Sequence, residues 1–132
     1  MRATITSTDT HYLHHIDAGG HALIADEPER LGGRNAGPAP FDLYLASLAA
    51  CTAITLRMYA EKKGWELGEL RIELKLRFGE DGRPDVLREL HSDQPLDDAT
   101  WQRLLEVSMK TPVTKAMLNG ADIRSVCGGA AA

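Results

Sequence analysis

Cysteine is scarce in this chain: Cys51 and Cys127 are the only two among 132 residues. That is too few for a disulfide framework. In a reducing compartment such thiols are more often free or redox-active than structural. Basic charge is not in excess, since the formal net charge is −4, and this argues against nucleic acid as a partner. No run of 18 apolar residues is free of charge, so no transmembrane helix is expected. The opening MRATITSTDT has no apolar h-region, so no signal peptide is expected and the cytoplasm is the expected compartment. Internal repeats, low-complexity tracts and phosphate-binding glycine loops are missing as well. What remains is one domain, residues 1–132, with 43% hydrophobic residues to build a core.

The segments that are present order themselves as strands, a long helix, a strand pair, two helices and a strand. Residues 2–9, 10–16 and 21–24 read as short strands of an N-terminal meander, with Asp17 to Gly20 as a turn. DEPERLGGRNAGPAP follows as a polar loop rich in Gly and Pro. Residues 41–63 predict a helix closed by Gly64, with Asp42 at its N-terminal end and Lys62 and Lys63 at its C-terminal end, matching the helix dipole. Residues 43–56 are apolar or small on every face, which predicts burial all round. ELRIELKLRF, residues 69–78, alternates strictly and predicts a half-buried strand, paired through the GEDGRPD turn with 86–92. Residues 97–110 predict an amphipathic helix with Trp101, Leu104, Leu105 and Ser108 on one face. Thr111-Pro112 caps a short helix over 112–118, and 121–126 predicts a last strand. This order gives an α+β fold with an antiparallel sheet.

Cys51 lies in the middle of the long helix. At about 100° per residue, Tyr44, Ser47, Thr55 and Met58 fall near it, and Ala46, Ala49, Ala53 and Ala60 fall opposite. A free cysteine in such a place is either a small buried hydrophobe or a nucleophile. The second role needs a cation brought by another segment, and Arg30 and Arg34 of the upstream loop can supply one. Tyr44 and Met58, with Trp101 and Met109, are either ordinary core or the lining of an apolar pocket. His11, His14 and His15 read as a polar strand face rather than a metal site, because 14 and 15 point to opposite sides of a strand. No metal and no cofactor are expected.

The pattern DEP…GG…GPAPFDLYLASLAACTAITLRMYAEKKGW, with MKTPVTKAML further on, resembles the OsmC/Ohr family of thiol-dependent hydroperoxide reductases over about His21 to Ser125. The resemblance implies an antiparallel sheet wrapped around a long central helix, in an intertwined homodimer with sites at the subunit interface. It implies that Cys51 is the peroxidatic cysteine, with an arginine holding it ionised and an acidic residue orienting that arginine. Arg30 falls about where the family arginine is expected, with Arg34 as the alternative, and Asp42 is the acidic candidate. The family's second cysteine, usually in Cys-Pro-Val, is replaced by Thr111. The usual two-cysteine cycle is therefore unavailable, and reduction falls to an external thiol unless Cys127 takes the second role. Two readings follow. One is a one-cysteine peroxidase acting on an organic or hydrogen peroxide; the other is a non-catalytic dimer that binds a small apolar ligand in the interface pocket.

Overall fold

The computed structural model describes residues 1–129. The elements are β1 (Ala3–Ser7), β2 (His14–Ala18), β3 (His21–Ala25), a 3-10 turn at Glu29–Leu31, α1 (Pro40–Lys63), β4 (Leu70–Phe78), β5 (Pro84–Ser92), α2 (Asp98–Ser108) and α3 (Pro112–Asn119). β1, β2 and β3 form one antiparallel sheet in that order, and β4 and β5 form another. This is the expected α+β class. Packing divides the chain into two compact units, one made of Met1–Ser47 and Leu76–Asp85, the other of Leu48–Lys75 and the residues from Val86 onward.

In the first unit, Ala18 pairs with His21, so Gly19 and Gly20 alone make the hairpin loop. Their φ values of 61° and 84° are those of a primed two-residue turn. The register places Ile5 opposite Ile16 and Ile16 opposite Leu23, an apolar row across all three strands. Ile5 and Leu23 are nonetheless exposed. The second expected strand starts later than its composition suggested. Thr8 Oγ1 accepts from Thr10 N and donates to Leu13 O, and Leu13 N donates to Thr10 O. This local turn takes residues 10–13 out of the sheet.

The second unit holds the core. Leu56, Ala60, Leu67 and Leu104 are buried together, with Trp65, Leu70, Ile72, Leu90, Leu96, Trp101 and Val107 packed around them. α1 ends as the sequence indicated: Gly64 has φ 68°, Gly64 N donates to Glu61 O, and Trp65 N donates to Ala60 O. That pair of bonds is a Schellman closure. α2 is capped by Asp97, whose side chain accepts from Thr100 N, and α3 by Thr111.

Three expectations are corrected. α1 is buried along one stripe only, Leu48, Thr52, Leu56 and Ala60 at i,i+4 spacing; Ile54 and Met58 are exposed. The dry side of the helix therefore runs through that stripe rather than through Ala46, Ala49 and Ala53. By length and composition α1 could also cross a membrane, but Leu56 and Ala60 make it a core helix here. On α2, Leu104 and Ser108 are buried as expected, but Leu105 is 45% exposed. Residues 121–126 form no strand; among the described residues no other segment pairs with them, and Ile123 and Val126 are exposed.

Candidate functional site

Cys51 is half-buried on α1, in the second unit, with its Sγ 4.0 Å from Thr55 Oγ1. The next residue, Thr52, is fully buried and donates to Leu48 O at 2.7 Å. Its hydroxyl also receives a 2.8 Å hydrogen bond from Arg88 Nη1. Arg88 comes from β5, where alternation turns it to the same side as Leu90, toward the core.

The Arg88 guanidinium is held on several sides. Nη1 also donates to Thr114 Oγ1 at 2.9 Å. Nη2 donates to Ser108 O at 2.9 Å and, more weakly, to Ser108 Oγ and Met109 Sδ. Thr114 Oγ1 donates to Ser108 O at 3.1 Å, which leaves Thr111 as the donor in the 2.6 Å contact between the Thr111 and Thr114 hydroxyls. Thr52, Arg88, Thr114 and Thr111 thus form one chain of hydrogen bonds joining α1, β5 and α3. Burial pushes the Arg88 guanidinium below the usual arginine value, and the Coulombic pull of an ionised Cys51 works against that shift.

Thr111 is fully buried. Its hydroxyl caps α3 and bonds Thr114. Cys127 is exposed, and its Sγ accepts from Gly129 N.

The loop that carries Arg30 and Arg34 belongs to the first unit and is organised by Asp26, which is 3% exposed. The Asp26 carboxylate accepts from the backbone N–H groups of Glu27, Arg34 and Ala36. These bonds, led by that of Ala36, hold its carboxyl below the usual aspartate range against the opposing effect of burial. A Cβ on Gly33 would run into the Glu27 carbonyl, so only glycine fits at that crossing. Arg30 is exposed at the 3-10 turn. Together with Pro28, Leu31, Phe41 and Asp42 it lines a cleft of about 400 Å³. Asp42 reaches back to Ala39 N at 2.9 Å, the acidic half of a capping box. No ion pair joins Asp42 to Arg30 or Arg34 among the described residues. Tyr44 meets Phe41 edge-on at 5.8 Å between ring centroids, and Met58 is exposed on α1.

Asp26 carries a testable pH dependence. Because its folded value is depressed, it stabilises the loop above the unfolded value of about 3.9, and that contribution disappears as pH falls through the folded value. Protection of the Arg34 and Ala36 amides against hydrogen exchange should therefore fall in acid. In Asp26→Asn the protection should be weaker and nearly independent of pH. Equal protection in the two proteins across that range would exclude this role for Asp26.

His14 and His15 are half-buried and exposed respectively, on opposite sides of β2. The ligand-type groups that do converge are Glu73, Glu89 and His91 on the hairpin, where Arg71 already pairs with Glu73.

The comparisons follow from this geometry. A family model described as OsmC-like protein matches residues 32–125. The chain belongs to the OsmC family. The solved structures agree with this in fold. A protein of Psychrobacter arcticus described as osmotic stress induced and of the detoxification response has a TM-score of 0.76 at 20% identity, covering 86% of this chain and 85% of that one. The organic hydroperoxide resistance protein OsmC of Legionella pneumophila, also described as a redox protein, gives 0.66 at 21% identity, with 88% and 87% covered. An OsmC like protein of Mycoplasma pneumoniae gives 0.71 at 17% identity, with 89% and 86% covered. No curated protein matches the chain.

Within the OsmC frame, Cys51, Met58, Thr111 and Cys127 are the candidate residues the sequence singled out that lie in the second unit. Arg88 and Asp26 were missed. Arg88 sits in the expected partner strand 86–92, and its signal was a charged residue two positions before Leu90, on the same side of the strand.

Proposed function

We propose that this OsmC-family chain is a thiol-dependent peroxidase of one-cysteine type, acting on an organic or hydrogen peroxide. The observation that carries this reading is Cys51, half-buried within the family-matched segment and directly before Thr52, whose hydroxyl accepts from the Arg88 guanidinium at 2.8 Å. The Cys51 thiolate attacks one peroxide oxygen. The S–O bond forms as the O–O bond breaks, and the leaving alkoxide takes a proton to become the alcohol. Cys51 is then a sulfenic acid. An external thiol condenses with it, releasing water and forming a mixed disulfide. A second external thiolate attacks the sulfur of the first, expelling the Cys51 thiolate and yielding the external disulfide.

The family resemblance adds Arg30, or Arg34, as a second cation for the thiolate, with Asp42 orienting that arginine. Tyr44 and Met58 are assigned to the substrate side. The functional unit is a homodimer of single OsmC-like domains spanning 1–132, acting in the cytoplasm. The exposed Ile54, Met58, Leu105, Met109 and Leu118 support a dimer, since a monomer seldom leaves so many large apolar side chains to water. No cofactor is assigned.

Thr111 favours a second reading. A buried threonine bonded to Thr114 cannot resolve a sulfenic acid, so the fold could serve instead as a dimeric ligand-binding protein. Intact-mass analysis after one equivalent of peroxide separates the two. The peroxidase reading expects one added oxygen on Cys51, removed by an added thiol, in both wild type and Cys127→Ser. A Cys51–Cys127 disulfide in the wild type would make Cys127 the resolving residue. Unchanged mass with peroxide persisting would leave the binding reading.

A further inference from the structure

Arg88 is a half-buried cation with no anion bonded to it. Its acceptors are two threonine hydroxyls, the Ser108 carbonyl and hydroxyl, and a thioether. It takes part in no ion pair among the described residues. Charges removed from water are ordinarily paired, because desolvation without a counter-charge is costly. The arrangement also fixes the guanidinium. A guanidinium has five N–H groups; Nη1 and Nη2 are spent on α1, α2, α3 and Met109, while Nε donates to nothing among the described residues. Thr52, whose hydroxyl accepts from Nη1, is the residue that follows Cys51 on α1.

We infer that Arg88 is a positioning residue for the thiol chemistry, a fixed cation whose missing counter-charge is the Cys51 thiolate, held in place by Thr52, Thr114 and the Ser108 carbonyl. The inference rests on Cys51 being the reactive thiol of the proposed peroxidase. It assigns Thr111 a part as well. In place of a second sulfur it donates to Thr114, and so orients the hydroxyl that accepts from Arg88. The charge is thereby built into the same unit as the cysteine and does not depend on the Arg30 loop.

A merely structural Arg88, tying α2 and α3 to the hairpin, would leave the sulfur's reactivity unchanged once the fold was intact. The deciding experiment is the pH profile of Cys51 alkylation by iodoacetamide in the Cys127→Ser background. In Arg88→Met the profile should move to higher pH, with alkylation at neutral pH about tenfold slower. Arg88→Lys keeps the charge and should recover most of the rate. Arg71→Met, which deletes an exposed charge from the hairpin, should match the parent. If Arg88→Met does not fold, Thr52→Val removes one hold on the guanidinium and should slow alkylation less but in the same direction. A folded Arg88→Met or Thr52→Val with the parent profile would overturn the inference. The readout needs no peroxide turnover. Slow peroxide loss beside an Arg88-dependent profile would therefore count against the peroxidase reading alone.

Discussion

Cys51→Ser is expected to abolish peroxide reduction, by a factor of at least about a thousand, while Cys127→Ser retains it. A serine hydroxyl stays protonated at neutral pH, and its oxygen cannot accept the peroxide oxygen to form a sulfenic acid. The exchange should leave the fold intact. Cys51 is only half-buried, and its side chain makes no closer polar contact among the described residues than the 4.0 Å approach to Thr55. The measurement is peroxide consumption with a small thiol as reductant, alongside circular dichroism to confirm folding. Turnover that survived in Cys51→Ser and vanished in Cys127→Ser would transfer the chemistry to the exposed cysteine and overturn the site assignment.

Leu104→Ala should cost about 3 kcal/mol of stability. Leu104 is fully buried, and the core around it is small: among the described residues Leu56, Ala60 and Leu67 are its buried apolar companions. Few neighbours can close over the lost methyl groups, so most of the cavity persists. Leu105→Ala, next along α2, should cost far less because Leu105 is exposed. Urea midpoints measured at one fixed protein concentration test the pair, since an associating chain has a concentration-dependent stability. Similar losses at the two positions would show that Leu105 is also buried in solution, as a partner subunit would require.

Much was legible before any coordinates. Period-two alternation placed β4 within a residue, because each apolar residue from Leu70 to Leu76 has the same side to fill. Thr111-Pro112 and Gly64 marked helix ends through local chemistry alone, a hydroxyl cap and a left-handed backbone. The motif around Cys51 pointed to the family that the match over 32–125 then showed. The failures are equally physical. Apolar residues on every face of α1 say that the helix avoids water, but not which neighbour covers which side. Residues 121–126 have strand-like composition, but a strand exists only where a second strand pairs with it.

The sequence by itself determined the α+β class, the helix and hairpin limits, and the place of Cys51 and Thr111 in the motifs that resemble the family. These depend on side-chain pattern and on motifs contiguous in the chain. Only the tertiary structure decided that Arg88, 37 residues beyond Cys51 in the numbering, bonds to Thr52 and Thr114, and that Asp26 holds the arginine loop. Both depend on hydrogen bonds between segments distant in sequence. Their geometry is set by how β5, α2 and α3 pack onto α1, and by how the loop from Glu27 to Ala36 folds back on one carboxylate.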